Sequence, residues 1–248
     1  MQDFDSLYSN DQSVLNTLHQ LARAHRILEM EGHGDMSLGH MSYRDPEGRG
    51  MWLKRGNLGL DEVQADDFLL VDFEGNVLEG KGILHLEWPL HSELFLARPD
   101  VNFIGHSHPF YTTAFATTTE EFGPYTNEGV WFAKDGVPRF DLTSNIITTV
   151  ELGKEHATAM GNSLAILLSN HGCSFVGETV QDVTLAGVFL ERACKFHMTL
   201  ATSGFDFRLP PQEETDFKLE EIYRPKARNN FWNYYNRRLD RLEKAGRL

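Results

Sequence analysis

A chain of 248 residues can bury a sizeable core, and its 41% hydrophobic and 24% charged residues are those of a soluble globular protein. A formal net charge of -13 argues against nucleic acid and anionic membrane surfaces, which are held mainly by clustered Lys and Arg. The start Met1-Gln2-Asp3-Phe4-Asp5 has no secretory pattern, no apolar run approaches the roughly 20 residues that span a bilayer, and Cys173 and Cys194 make no disulfide framework, so a cytoplasmic location is expected.

Apolar residues recur at helical spacing from Val14 to Met30, which predicts a helix. The Gly-rich stretch Gly32–Gly39 reads as a loop. Short strands are predicted at His40–Arg44, Gly50–Lys54 and Phe68–Asp72, with turns at Asp45–Gly48 and Asp72–Asn76. A helix should start near Glu87, with Pro89 in its first turn, and end at Arg98-Pro99-Asp100. Val101–His108 reads as a strand stopped by Pro109. Ser163–Ser169 reads as a buried strand, Asn170-His171-Gly172 as a tight turn and Cys173–Val176 as a second strand. Thr179 caps a long helix running to Thr199. From Glu213 the chain is charged and aromatic and reads as a peripheral helix packed on a neighbouring subunit. Strands and helices mix without a regular β-α-β rhythm, which points to an α+β fold with a mostly antiparallel sheet.

Eleven histidines are more than packing requires, so their grouping matters. His106 and His108 stand two apart in a predicted strand, so both imidazoles face one side and can converge on one ion. His171, in the turn after a buried strand, offers a third nitrogen, which leaves a coordination position open for water or substrate. Glu87 lies just before a helix. It could bind the ion at rest and act as a base when substrate displaces it, or simply cap the helix.

The ordered motifs Gly39-His40-Met41-Ser42-Tyr43-Arg44, Glu87-Trp88 with His91, Arg98-Pro99-Asp100-Val101, His106-Ser107-His108-Pro109 and His171-Gly172 with Gly177 and Leu190-Glu191 resemble the class II aldolase/adducin family from Val14 to Ala201. The resemblance implies a three-layer α/β/α sandwich around a largely antiparallel sheet. It implies a catalytic domain over 1–212 and a helical tail over 213–248. It implies one divalent ion per subunit, zinc or manganese, at His106, His108 and His171, with Glu87 as acid/base residue. Homotetramers with sites between subunits are implied too. Tyr125 lies near where the aldolases place a catalytic tyrosine; the alternative is a surface tyrosine.

Sugar-phosphate aldolases of the family carry Gly-Asn where this chain has Gly39-His40, and small hydroxyl residues where it has His85 and Leu86. Gly-His-x-Ser-x-Arg resembles members that act on unphosphorylated carboxylates, decarboxylases among them. The candidate substrate-binding residues are His40, Ser42, Lys54, Arg55, Asn57 and His85. Lys54 or Arg55 could pair a substrate carboxylate. The reading is a metal-dependent carbon–carbon lyase that works through a metal-stabilised enolate on a non-phosphorylated oxo- or hydroxy-carboxylate, by aldol cleavage or decarboxylation. A non-catalytic adducin-like interaction protein and a sugar-phosphate aldolase are the alternatives.

Overall fold

Strands that are apolar on both faces require cover on both sides, and this chain provides it. The structure, a computed structural model, describes residues 12–248; Met1–Asp5 lies outside the described residues. In β2 (Met51–Lys54) and β3 (Phe68–Val71), Trp52, Phe68 and Leu70 enter one hydrophobic cluster, while Met51, Leu53, Leu69 and Val71 enter another. The same alternation runs through β7 (Ala165–Leu168) and β8 (Gly172–Gly177). Successive strand side chains point to opposite faces, so one sheet separates two helical layers. This is the expected three-layer α+β sandwich.

With β1 (His40–Arg44), β4 (Val77–Glu79), β5 (Phe103–Ser107) and β6 (Arg139–Phe140), the strands form one sheet in the order β4-β3-β2-β1-β5-β8-β7-β6. Every pairing is antiparallel except that of β6 with β7. One layer is built on α1 (Gln12–Leu28) and α6 (Val180–Ser203), the other on α2 (Trp88–Ala97) and α5 (Val150–Met160). The Thr179 hydroxyl accepts from Asp182 N, so the expected cap is present. The first helix ends two residues earlier than its apolar spacing suggests and passes through a wide turn, Glu29–His33, in which Gly32 takes φ of 91°.

Between Pro109 and Ser163 apolar periodicity predicts no element. The structure places α3 (Phe110–Ala116), α4 (Asn127–Val130), β6 and α5 there. α3 and α4 are too short for a periodic signal. α5 is long enough, but its buried residues are Gly153, His156, Ala157 and Met160, and apolar counting misses a glycine and a histidine. Gly153 permits close helix contact: a Cβ there would lie 2.5 Å from Pro89 O on α2.

The tail forms α7 (Gln212–Ile222) and α8 (Pro225–Lys244). Within the chain, α8 packs on α1 and α6. Trp232, Tyr235 and Leu239 are buried in the α1–α6 cluster, and Arg23–Asp240 (2.6 Å) and Arg26–Glu243 (3.0 Å) tie α8 to α1. Among the described residues, no helix is long and apolar enough to cross a membrane.

His25 joins α1 to β1. Its Nδ1 donates to Leu21 O at 2.8 Å and its Nε2 accepts from Met41 N at 3.0 Å, a pattern only the neutral ring can make. His33 is equally buried and meets Ser107 Oγ at 2.9 Å. Burial pushes both rings down to about 3 from the ordinary 6.5. The unfolded chain therefore takes up these protons first on acidification. Stability is full above the ordinary histidine range and declines below it, by about 1.4 kcal/mol per pH unit for each ring. Urea unfolding of metal-free protein should show a lower midpoint near pH 5.5 than near pH 7. An unchanged midpoint would mean that the two rings are not held neutral.

Candidate metal centre and substrate cavity

The central strands set the site. β1 and β5 are neighbours with His40 opposite His106. Ile104 packs into the α2–α5 cluster, so His106, two residues on, faces that layer as well. Met41 faces the opposite cluster, which turns His40 and Ser42 toward α2. α2 begins at Trp88 and carries Glu87 at its cap and His91 one turn further on. The turn between β7 and β8 brings in His171: its N–H closes on Leu168 O at 3.1 Å, and Asn170 takes φ of 55°. Gly172 must be a glycine, because a Cβ there would lie 2.5 Å from Ser107 O.

His106 Nε2 lies 3.0 Å from His108 Nε2 and 3.4 Å from Glu87 Oε2, and His171 Nε2 lies 3.9 Å from Glu87 Oε1. The four residues offer ligand atoms that are all within 4.8 Å of one another. Nitrogens about 2.0–2.1 Å from one tetrahedral ion stand about 3.3 Å apart, so the spacing suits a single ion. Burial and the neighbouring His106 ring leave His108 below its ordinary range and His171 at about 4. Both rings are then neutral at neutral pH, as ligands must be. The cluster can hold one divalent metal ion.

Burial alone would raise the Glu87 carboxyl, but His106 and His40 beside it outweigh burial and hold it well below the usual carboxylate range. Ile147 N donates to Glu87 Oε1 at 2.9 Å and fixes the carboxylate. Glu191 orients the far side of the site. It accepts from Tyr111 N (3.0 Å), Thr112 N (2.7 Å) and the Thr112 hydroxyl (2.7 Å), which caps α3 directly after His108-Pro109.

Asp35 carries no signal in the local sequence. Its Oδ2 accepts from His108 Nδ1 at 3.0 Å, leaving Nε2 bare toward the cluster. A ligand histidine calls for a carboxylate or carbonyl on its second nitrogen, and only the fold brings Asp35 to His108. Asp35→Asn should weaken metal binding roughly 10–100-fold, measured by chelator competition. Wild-type affinity in this variant would rule out an orienting role.

A cavity of about 360 Å³ opens beside the cluster, lined on its apolar side by Leu38, Ile83, Leu84, Leu86 and Ile146. Of the candidate substrate-binding residues, His40, Asn57 and His85 line it. The other three are engaged elsewhere. Lys54 is fully buried, and its Nζ donates to Gly39 O at 3.0 Å, bracing the loop before β1; burial lowers it to about 8. Arg55 donates to Asp67 Oδ1 at 2.8 Å. Ser42 is buried against His91. Tyr125 is not brought to the cluster within the chain; its ring packs on His197 and Phe207.

Residues 19–198 match the class II aldolase and adducin N-terminal domain. The chain belongs to the class II aldolase/adducin family. Among relatives in this family, it is 30% identical to 3,4-dihydroxyphthalate decarboxylase of Arthrobacter keyseri over 74% of this chain and 78% of that protein. It is 25% identical to Decarboxylase NovR of Streptomyces niveus over 84% of this chain and 77% of that one. Among solved structures, L-fuculose 1-phosphate aldolase from Glaciozyma antarctica PI12 superposes with a TM-score of 0.82 at 25% identity, covering 99% of this chain and 94% of that one. As a class II aldolase/adducin protein, the chain carries its metal-competent cluster inside the matched segment.

Proposed function

We propose that this chain is a zinc- or manganese-dependent carbon–carbon lyase that decarboxylates an unphosphorylated hydroxy- or oxo-carboxylate with a largely apolar, aromatic-sized body. The observation that carries this reading is the cavity. Among the described residues that line it there is no Lys or Arg, while five aliphatic side chains face it. A phosphate dianion calls for paired cations or a cradle of N–H donors; an apolar ring calls for aliphatic walls. The decarboxylase names of two relatives support the same direction.

When bound, the ion supplies Lewis acidity toward negative charge left on a substrate oxygen as the carbon–carbon bond breaks. His106, His108 and His171 would hold it. Glu87, anchored by Ile147 N–H, would exchange a proton with the substrate. His40 and His85 each have a buried Nε2 with no hydrogen-bond partner and line the cavity, so they would orient the substrate carboxylate. The active form is proposed as a homo-oligomer, which light scattering tests.

The deciding experiment is metal analysis of the purified protein, followed by a panel of hydroxylated aromatic carboxylates, 2-oxo acids and sugar phosphates. Carbon dioxide release without aldehyde from the aromatic carboxylates is expected. Aldehyde release from a sugar phosphate would overturn the substrate class. Metal-free protein that added zinc or manganese cannot activate would overturn the lyase.

A further inference from the structure

Two motifs that are separate in the sequence meet in the fold. His40 and Ser42 lie two residues apart on β1 and share a face; Glu87 and His91 lie four apart at the start of α2. Their side chains form a line. Ser42 Oγ stands 2.6 Å from His91 Nδ1, and His91 Nε2 stands 2.6 Å from His40 Nδ1. His40 Nε2 faces Glu87 Oε2 at 3.6 Å, and the ring lines the cavity. Ser42 and His91 have no exposed surface and His40 almost none.

The polarity of this line follows from its carboxylate end. A neutral imidazole carries one donor and one acceptor, whereas a carboxylate only accepts. The Glu87 carboxylate therefore favours the proton on His40 Nε2. His40 Nδ1 is then bare and accepts from His91 Nε2–H. His91 Nδ1 is bare in turn and accepts the Ser42 hydroxyl proton. A serine hydroxyl can donate here without constraint, and no water is needed to complete the chain.

We propose that Ser42 and His91 are positioning residues that lock His40 as its Nε2–H tautomer, so that a fixed hydrogen-bond donor faces Glu87 and the substrate cavity. The Gly39–Ser42 and Glu87–His91 segments of this chain thus supply alternate members of one line, hydrogen-bonded from Ser42 through His91 to His40 and ended by the Glu87 carboxylate 3.6 Å from His40 Nε2. It rests on the proposed lyase activity only for its kinetic arm.

Histidine-selective 15N spectra of the zinc-loaded full chain test it, with His40 assigned by loss of its signals in His40→Gln. The expected result is a proton on Nε2 of His40 and a bare Nδ1. His91→Phe and Ser42→Ala should release this tautomer. His91→Gln should restore it, because its amide can donate to His40 and accept from Ser42. In the kinetic arm, His91→Phe should lower kcat roughly tenfold or more with KM little changed, and His91→Gln should recover most of the loss. A proton on His40 Nδ1 in the wild type overturns the proposal. So does His91→Phe with the wild-type His40 spectrum. Should His91→Phe fail to fold, the wild type and Ser42→Ala decide. Absence of turnover on every carboxylate would count against the lyase, while the spectra would still decide the tautomer.

Discussion

Glu87→Gln should lower kcat by roughly 10²–10⁴-fold while the metal stays bound. The substitution keeps the shape of the side chain, and its amide oxygen can still accept from Ile147 N. What it removes is the oxygen that takes up and returns a proton. The three histidines keep their nitrogens, and Glu87 Oε2, at 3.4 Å from His106 Nε2, would be the displaceable member of the cluster in the proposed mechanism. Metal content and kcat measured on the same preparation check this. Wild-type turnover would remove Glu87 from the reaction, and loss of metal together with activity would make it a ligand first.

His106→Ala should show the opposite signature: metal and activity lost together, with the fold retained. His106 stands at the centre of the cluster, 3.0 Å from His108 Nε2 and with its ring 5.0 Å from that of His171. Removing a ligand should cost more affinity than the roughly 10–100-fold expected for removing an orienting partner such as Asp35. β5 continues to pair through its backbone with β1 and β8, so circular dichroism of the metal-free variant should match that of metal-free wild type. Full metal occupancy in His106→Ala would overturn the assignment of the cluster as the metal centre.

Much of the frame is legible in the chain because it rests on local rules. β1 is read at its observed bounds, α2 is recognised from Pro89, and the Thr179 cap is recognised from its hydroxyl. Period-2 alternation is less informative, because strands covered on both faces read as continuous apolar runs, as in Phe68–Val71 and Ala165–Leu168. The segment between Pro109 and Ser163 is opaque for a related reason. Its helices are short or bury glycine and histidine, so hydrophobic periodicity is weak.

For the site, the boundary runs through individual residues. The two-residue spacing of His106 and His108 puts both rings on one strand face, and the ordered motifs that resemble the family add His171 and Glu87 to the set. Which residues serve the cavity depends on long-range contacts that spacing does not carry. Lys54 and Arg55 look like substrate cations in the chain and turn out to be held by Gly39 O and Asp67. Asp35 looks like a loop residue and meets His108 across 73 positions. Ser42 and His91, 49 positions apart, touch only because β1 and α2 stack in adjacent layers. Residue types and their local order thus carry the fold family and the metal-binding chemistry. Packing decides which polar groups are already paired and which remain free to meet a substrate, since hydrogen-bond satisfaction is a property of the packed interior and not of any local segment.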